Sequence, residues 1–186
     1  MMIKDNHLGG FVLNGDDRTY YAQLWETLIN DFNIKSLIDV GCGEGHSSYF
    51  FHNRFVEVLA IDGSKKVLDS AVFDPIVIHD YCTGPYIPDK IYDFVWCCEF
   101  VEHIEEKYIP NFIATFKKAK YVAFSHALPK QGGYHHVNER EPLYWIRIME
   151  SNGFEYMEEE SLKYRKLAHD YFQVSGLIFK NNTLLG

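Results

Sequence analysis

Three short features of this chain carry residue types suited to holding a polar, nucleotide-like molecule. Asp39-Val40-Gly41-Cys42-Gly43-Glu44-Gly45 follows an apolar run and sets its glycines two apart. Glycine lacks the Cβ that would keep a ligand from the backbone, and a helix behind such a turn offers unpaired N–H groups to polar atoms. Val58-Leu59-Ala60-Ile61-Asp62 is a second apolar run, and its carboxylate lies about 20 residues on, where an acid holds ribose hydroxyls. His79-Asp80-Tyr81 closes a third. A nicotinamide-binding turn would read G-x-G-x-x-G, and His46 stands where that pattern needs its third glycine, which disfavours a nicotinamide oxidoreductase.

A second group of residues could act on a substrate. Glu99 follows the apolar run 91–97, and His126 ends the run Tyr121-Val122-Ala123-Phe124-Ser125. The glycine-containing loop beyond it, 126–139, holds His135, His136 and Asn138. An imidazole titrates near neutral pH, so His135 or His136 is suited to take a proton from a hydroxyl, with His126, Asn138 and Glu99 orienting the acceptor. His103 is read as holding its loop to the sheet. No metal is assigned. Adjacent side chains such as those of His135 and His136 point opposite ways in an extended segment, and Cys42, Cys82, Cys97 and Cys98 form no C-x-x-C pair.

The elements that would position these groups alternate. Strands are expected over about 35–40, 56–61, 75–79, 91–97, 121–125, 154–157 and 172–179. Helices are expected over about 17–32, 46–53, 64–70, 107–118, 141–151 and 159–168. Ser64 is placed to cap one of them, and Pro110 and Pro142 fall in first turns. Residues 1–15, with Gly9-Gly10 and Gly15, read as an irregular segment, either mobile or folded over the site. The pattern implies an α/β fold: one domain over 1–186, Rossmann-like and doubly wound, with a mostly parallel sheet covered by helices on both faces.

Length and composition suit that reading. The 186 residues are 47% hydrophobic and 24% charged, enough for one α/β core. A net charge of −8 argues against a nucleic-acid partner. No apolar run approaches the length of a membrane span, the N-terminus lacks an apolar signal core, and the neighbouring Cys97 and Cys98 read as reduced thiols. The expectation is a cytoplasmic protein, a monomer or a homodimer through its aromatic first helix.

In order and spacing, these motifs resemble those of class I S-adenosylmethionine-dependent methyltransferases, over about residues 17–180. Phe100-Val101-Glu102-His103 is similar to the signature of the type-11-like subgroup, with Glu102-His103 as its core. The resemblance implies a seven-stranded sheet and S-adenosylmethionine as cofactor. It places Asp39, Gly41, Cys42 and Gly43 at the methionine part, Asp62 with Gly63 at the ribose, and Asp80 and Tyr81 at the adenine. Glu99 would orient the substrate or the cofactor amine. Gly132-Gly133-Tyr134-His135-His136-Val137-Asn138 is similar to loops of methyltransferases from polysaccharide and phage gene sets, which hints at a sugar-like, small-molecule acceptor. The competing reading is a non-catalytic binding or assembly subunit that keeps the fold.

Overall fold

The computed structural model describes residues 1–185. Its centre is a seven-stranded sheet built from β3 (Ser36–Val40), β4 (Glu57–Asp62), β5 (Ile76–Ile78), β6 (Tyr92–Cys97), β7 (Ala119–Phe124), β8 (Phe154–Tyr156) and β9 (Leu177–Asn181). The strand order is β5-β4-β3-β6-β7-β9-β8. Five strands run parallel, and β9 pairs antiparallel with both of its neighbours. The remaining strands, β1 (Met2–Lys4) and β2 (Gly10–Val12), form a separate antiparallel hairpin.

Alternate side chains of a strand face opposite ways, and here both faces are buried. Ile38, Val40, Val95, Cys97, Val122 and Phe124 join one core; Leu37, Phe94, Trp96 and Ala123 join the other. The first core is covered by α3 (Ile109–Phe116), through Phe112, Ile113 and Phe116, and by α4 (Pro142–Ser151), through Trp145 and Met149. The second is covered by α1 (Ala22–Asp31), through Leu24, Trp25 and Leu28, and by α2 (His46–His52), through Phe50 and Phe51. The helices α5 (Glu158–Arg165) and α6 (Asp170–Ser175) add Tyr164 and Phe172 to it. The short α7 (Asn182–Leu185) follows β9. No helix among the described residues is long and apolar enough to cross a membrane.

Beyond β3 the chain runs outward to β4 and β5, then returns to β6 on the other side of β3. The strand order therefore reverses between β3 and β6. In open α/β sheets, ligands bind beyond the carboxyl ends of the strands at such a reversal. The glycine turn follows β3 and Glu99 follows β6, so the fold itself brings these two segments to one crevice.

Three expected elements differ. Residues 1–15 are not irregular: a hairpin with a 3-10 turn at Asn6–Leu8 lies across the sheet edge, its register set by Ile3 opposite Phe11. The segment 172–179 is not one strand. Phe172 to Ser175 are helical, because the Phe172 ring stacks on Trp96 at 5.0 Å while its N–H donates to the Tyr21 hydroxyl. Gly176 then separates helix from strand; a Cβ there would meet the Phe172 ring at 2.5 Å. The helix expected over 64–70 is a 3-10 turn at Lys65–Asp69.

Ser64 does cap that turn, accepting from the Lys66 N–H, and its hydroxyl also donates to Asp5. Ser64→Ala is expected to lower stability by about 1 kcal/mol, the usual worth of such a cap. Urea unfolding measures it, and an unchanged midpoint would show that the cap contributes nothing.

Candidate active site

The crevice is a cavity of about 580 Å³, within the range of small-molecule sites. Its floor is the turn after β3. Gly41 and Gly43 have φ of +73° and +55°, conformations that favour glycine. A Cβ on Gly41 would meet Phe100 at 2.9 Å, so packing as well as turn geometry requires glycine there. At Gly43 a Cβ would meet only Phe11, at 3.7 Å, so the missing side chain leaves the cavity open.

Asp39 is buried beneath the turn and accepts from the hydroxyls of Ser47 and Ser48, both at 2.6 Å. It thereby ties β3 to the first turn of α2. Burial pushes its carboxyl up to about 6, against the pull of those two hydroxyls. Asp62, at the end of β4, accepts from the N–H groups of Gly43 and Ser64, both at 2.8 Å. It lines the cavity, and each carboxylate oxygen keeps acceptor capacity for a ligand. Burial raises its pKa while these amides lower it.

Asp39, Gly41, Cys42, Gly43, Asp62, Glu99 and His136 all line the one cavity. The other expected site residues do not. Tyr81 is buried, its hydroxyl hydrogen-bonded to Thr115 of α3, so it packs instead of facing a ligand. Asp80 pairs with His7 at 2.8 Å, and a Cβ on Gly63 would meet Leu8 at 2.8 Å. The N-terminal segment thus lies over the ends of β4 and β5. His126 is fully buried, with Nδ1 donating to the Ala127 carbonyl. Asn138 is buried and donates to the Ile104 carbonyl. His135, whose backbone sits at φ +56°, is absent from the lining, and the loop presents His136 instead. The expected catalytic set is therefore corrected: of His126, His135, His136, Asn138 and Glu99, the cavity receives His136 and Glu99.

Two neighbours were not expected there. His103 lines the cavity, on a 3-10 turn at Val101–His103. Its ring meets that of His136 edge-on at 5.0 Å, and its Nδ1 donates to the His135 carbonyl at 3.2 Å. Burial, with His136 beside it, holds its pKa down to about 4. Glu102 lies beneath, fully buried, with neither carboxylate oxygen hydrogen-bonded. Burial and the nearby Glu99 carboxylate push its pKa well up. The sequence signal for both was the Glu102-His103 pair, and nothing in it marked His103 as a cavity residue. The N-terminal segment supplies further walls, including Phe11 of the hairpin and Asn14 beyond it, and the Gly15 N–H donates to Glu44.

A reversed strand order, a glycine turn open to a cavity and an acid at the next strand end define a Rossmann-like nucleotide site. Residues 38–120 match the family model described as a methyltransferase domain. The mitochondrial ubiquinone biosynthesis O-methyltransferase of Schizosaccharomyces pombe is 31% identical over 87 residues, 41% of this chain. The match spans only 31% of that relative's length. Among solved structures, a TehB-like S-adenosylmethionine-dependent methyltransferase from Corynebacterium glutamicum superposes with a TM-score of 0.63 at 16% identity, covering 90% of this chain and 89% of that one. Magnesium protoporphyrin IX methyltransferase from Synechocystis, solved with bound S-adenosylhomocysteine, gives 0.61 at 17% identity, covering 84% and 78%. Residues 38–120 thus carry a methyltransferase domain, the fold is shared with S-adenosylmethionine-dependent methyltransferases of known structure, and S-adenosylmethionine is the cofactor such domains use.

The residues present fit that cofactor at the glycine turn and at Asp62. The Asp62 carboxylate lines open space there, and a Cβ at Gly43 would begin to fill it.

Proposed function

We propose that this chain transfers a methyl group from S-adenosylmethionine to a hydroxyl of a small-molecule acceptor, with a sugar or polysaccharide precursor as the acceptor class. The observation that carries this reading is the continuity of one cavity from Gly41, Gly43 and Asp62 to Glu99, His103 and His136. The cofactor, when bound, supplies the electrophilic methyl. The work left to the protein is to hold the acceptor in line and to deal with its proton. Glu99 is held from below by the Ser125 hydroxyl at 2.8 Å, and His136 Nδ1 donates to Glu139 at 3.2 Å. Both side chains are therefore fixed before a substrate arrives.

An oxygen acceptor is supported by the relative whose name is an O-methyltransferase. A sugar is supported by the mixture of aromatic and polar walls: Phe11, Tyr20 and Tyr134 offer ring faces, while Asn14 and Asp16 offer hydrogen bonds. The four free thiols suit a protein working in a reducing cytoplasm.

Two measurements test this reading. Calorimetric titration is expected to show S-adenosylhomocysteine binding and no NAD binding. Labelled methyl from S-adenosylmethionine is expected to appear on a member of a hydroxyl-acceptor panel that includes sugars and nucleotide sugars. Binding without transfer to any oxygen, nitrogen or carbon acceptor would favour a non-catalytic subunit instead.

A further inference from the structure

The buried carboxylate of Glu102 has no cationic partner among the described residues, and its neighbour Glu99 is a second carboxylate. Glu102 is fully buried, and neither oxygen accepts a hydrogen bond. Among the described residues, no lysine or arginine forms an ion pair with it or with Glu99. A buried carboxylate in that state is costly unless something positive or a proton meets it. What meets it here is a pair of imidazoles: one carboxylate oxygen of Glu102 and one ring nitrogen each of His103 and His136 lie within 4.8 Å of one another.

The hydrogen bonds around the two rings set their tautomers. His103 Nδ1 faces the His135 carbonyl at 3.2 Å, and His136 Nδ1 faces the Glu139 carboxylate at 3.2 Å. Both partners only accept, so in the neutral rings each Nδ1 carries the proton and each Nε2 keeps its lone pair. Metal-binding histidines are held in the same way, one nitrogen anchored by an oxygen acceptor and the other left for the ion. The Glu139 carboxylate is itself fixed, accepting from the N–H groups of Lys130 and Gly132. The backbone fixes the spacing of the set. The Glu102 carbonyl accepts from the N–H groups of Val137 and Asn138, both at 3.0 Å, which pins the loop bearing His136 against the turn bearing His103.

We propose that Glu102, His103 and His136 form a divalent-cation site at the acceptor end of the cavity, with Glu99 beside it. Two imidazoles and a carboxylate suit a first-row ion such as Mn²⁺, Fe²⁺ or Zn²⁺ better than Mg²⁺ or Ca²⁺, which take mostly oxygen. Three protein ligands leave coordination positions open, and His103, His136 and Glu99 all face the cavity. The cation's role rests on the methyltransferase reading: it holds the acceptor hydroxyl at a fixed point and makes its proton easier to lose. His136 then serves as a ligand and not as a free base.

The test uses the full chain stripped of metal by a chelator. Titration with MnCl2 is expected to show one site, and the electron spin-echo spectrum of the bound ion is expected to carry modulation from directly bound imidazole nitrogen. Glu102→Gln and His136→Ala are each expected to weaken Mn²⁺ binding at least tenfold. Cys82→Ser, in the exposed His7, Asp80 and Cys82 cluster, is expected to leave it unchanged. The spectrum of the unaltered protein needs no variant, so a variant that fails to fold does not disarm the test.

No Mn²⁺ or Zn²⁺ binding, binding without nitrogen modulation, or binding lost in Cys82→Ser and kept in Glu102→Gln would each overturn the site. Titrating the metal-free protein with S-adenosylhomocysteine keeps the two claims apart. Heat there with none from Mn²⁺ removes the cation and leaves the cofactor reading standing; the opposite pattern does the reverse.

Discussion

Asp62→Ala is expected to weaken S-adenosylhomocysteine binding by more than about a hundredfold. A carboxylate accepting from two ribose hydroxyls makes two charge-assisted hydrogen bonds, each worth about 1.5–3 kcal/mol. At about 1.4 kcal/mol per tenfold, losing both costs two orders of magnitude or more. The substitution also releases the N–H groups of Gly43 and Ser64, which this carboxylate holds at 2.8 Å, so the turn that faces the cofactor loosens with it. Asp62→Asn separates the two contributions. It keeps the shape and one acceptor, but its amide NH2 must face one of the two backbone donors, so an intermediate loss is expected. Isothermal titration of both variants beside the parent measures this, with thermal unfolding to show that each remains folded. Parent-like affinity in Asp62→Ala would remove Asp62 from the cofactor site.

That expectation could be formed before any coordinates because the relevant residues are local. The run Leu37-Ile38-Asp39-Val40 is apolar at successive positions because both faces of β3 are buried, and the turn and acid that follow β3 and β4 lie at their carboxyl ends. Parallel strands must place such ends along one edge, so Gly41, Gly43 and Asp62 come together by topology. The acceptor end was less legible because it depends on contacts between distant segments. His103 and His136 are 33 positions apart and meet only because the Glu102 carbonyl captures the backbone of Val137 and Asn138. His136 lines the cavity while His135, at a left-handed φ, does not, and a polar loop sequence announces neither. Tyr81 looked like a ring-stacking residue, yet its hydroxyl partner is Thr115, 34 positions away on α3. The hairpin over the cleft was hidden for another reason. Its strands have three residues each, too short for periodicity, and positive φ at Asn6, Gly9 and Gly10 reads locally as irregular chain.

His126 gives the second large expected effect, on stability in acid. In an unfolded chain its imidazole gains a proton near pH 6.5; in the fold, burial, with the Arg165 charge adding to it, lowers that to about 4. Between those values the unfolded state binds more protons at this residue than the native state does. The fold therefore keeps this contribution above about pH 6.5 and loses it as pH falls towards 4. The separation of the two pKa values corresponds to about 3 kcal/mol over the full range. Asp39 acts with the opposite sign, since burial holds its carboxyl at about 6 and the native state is the one that keeps the proton there. Total stability thus mixes both groups, and the difference between the parent and His126→Gln isolates one of them. Glutamine can still donate to the Ala127 carbonyl, but it does not titrate. Urea unfolding at pH 7, 6, 5 and 4 is expected to show the parent losing about 3 kcal/mol more than the variant between the extremes. Parallel acid limbs would mean that His126 accepts its proton in the fold as easily as in the open chain, and that the buried, half-satisfied ring is not what limits this protein in acid.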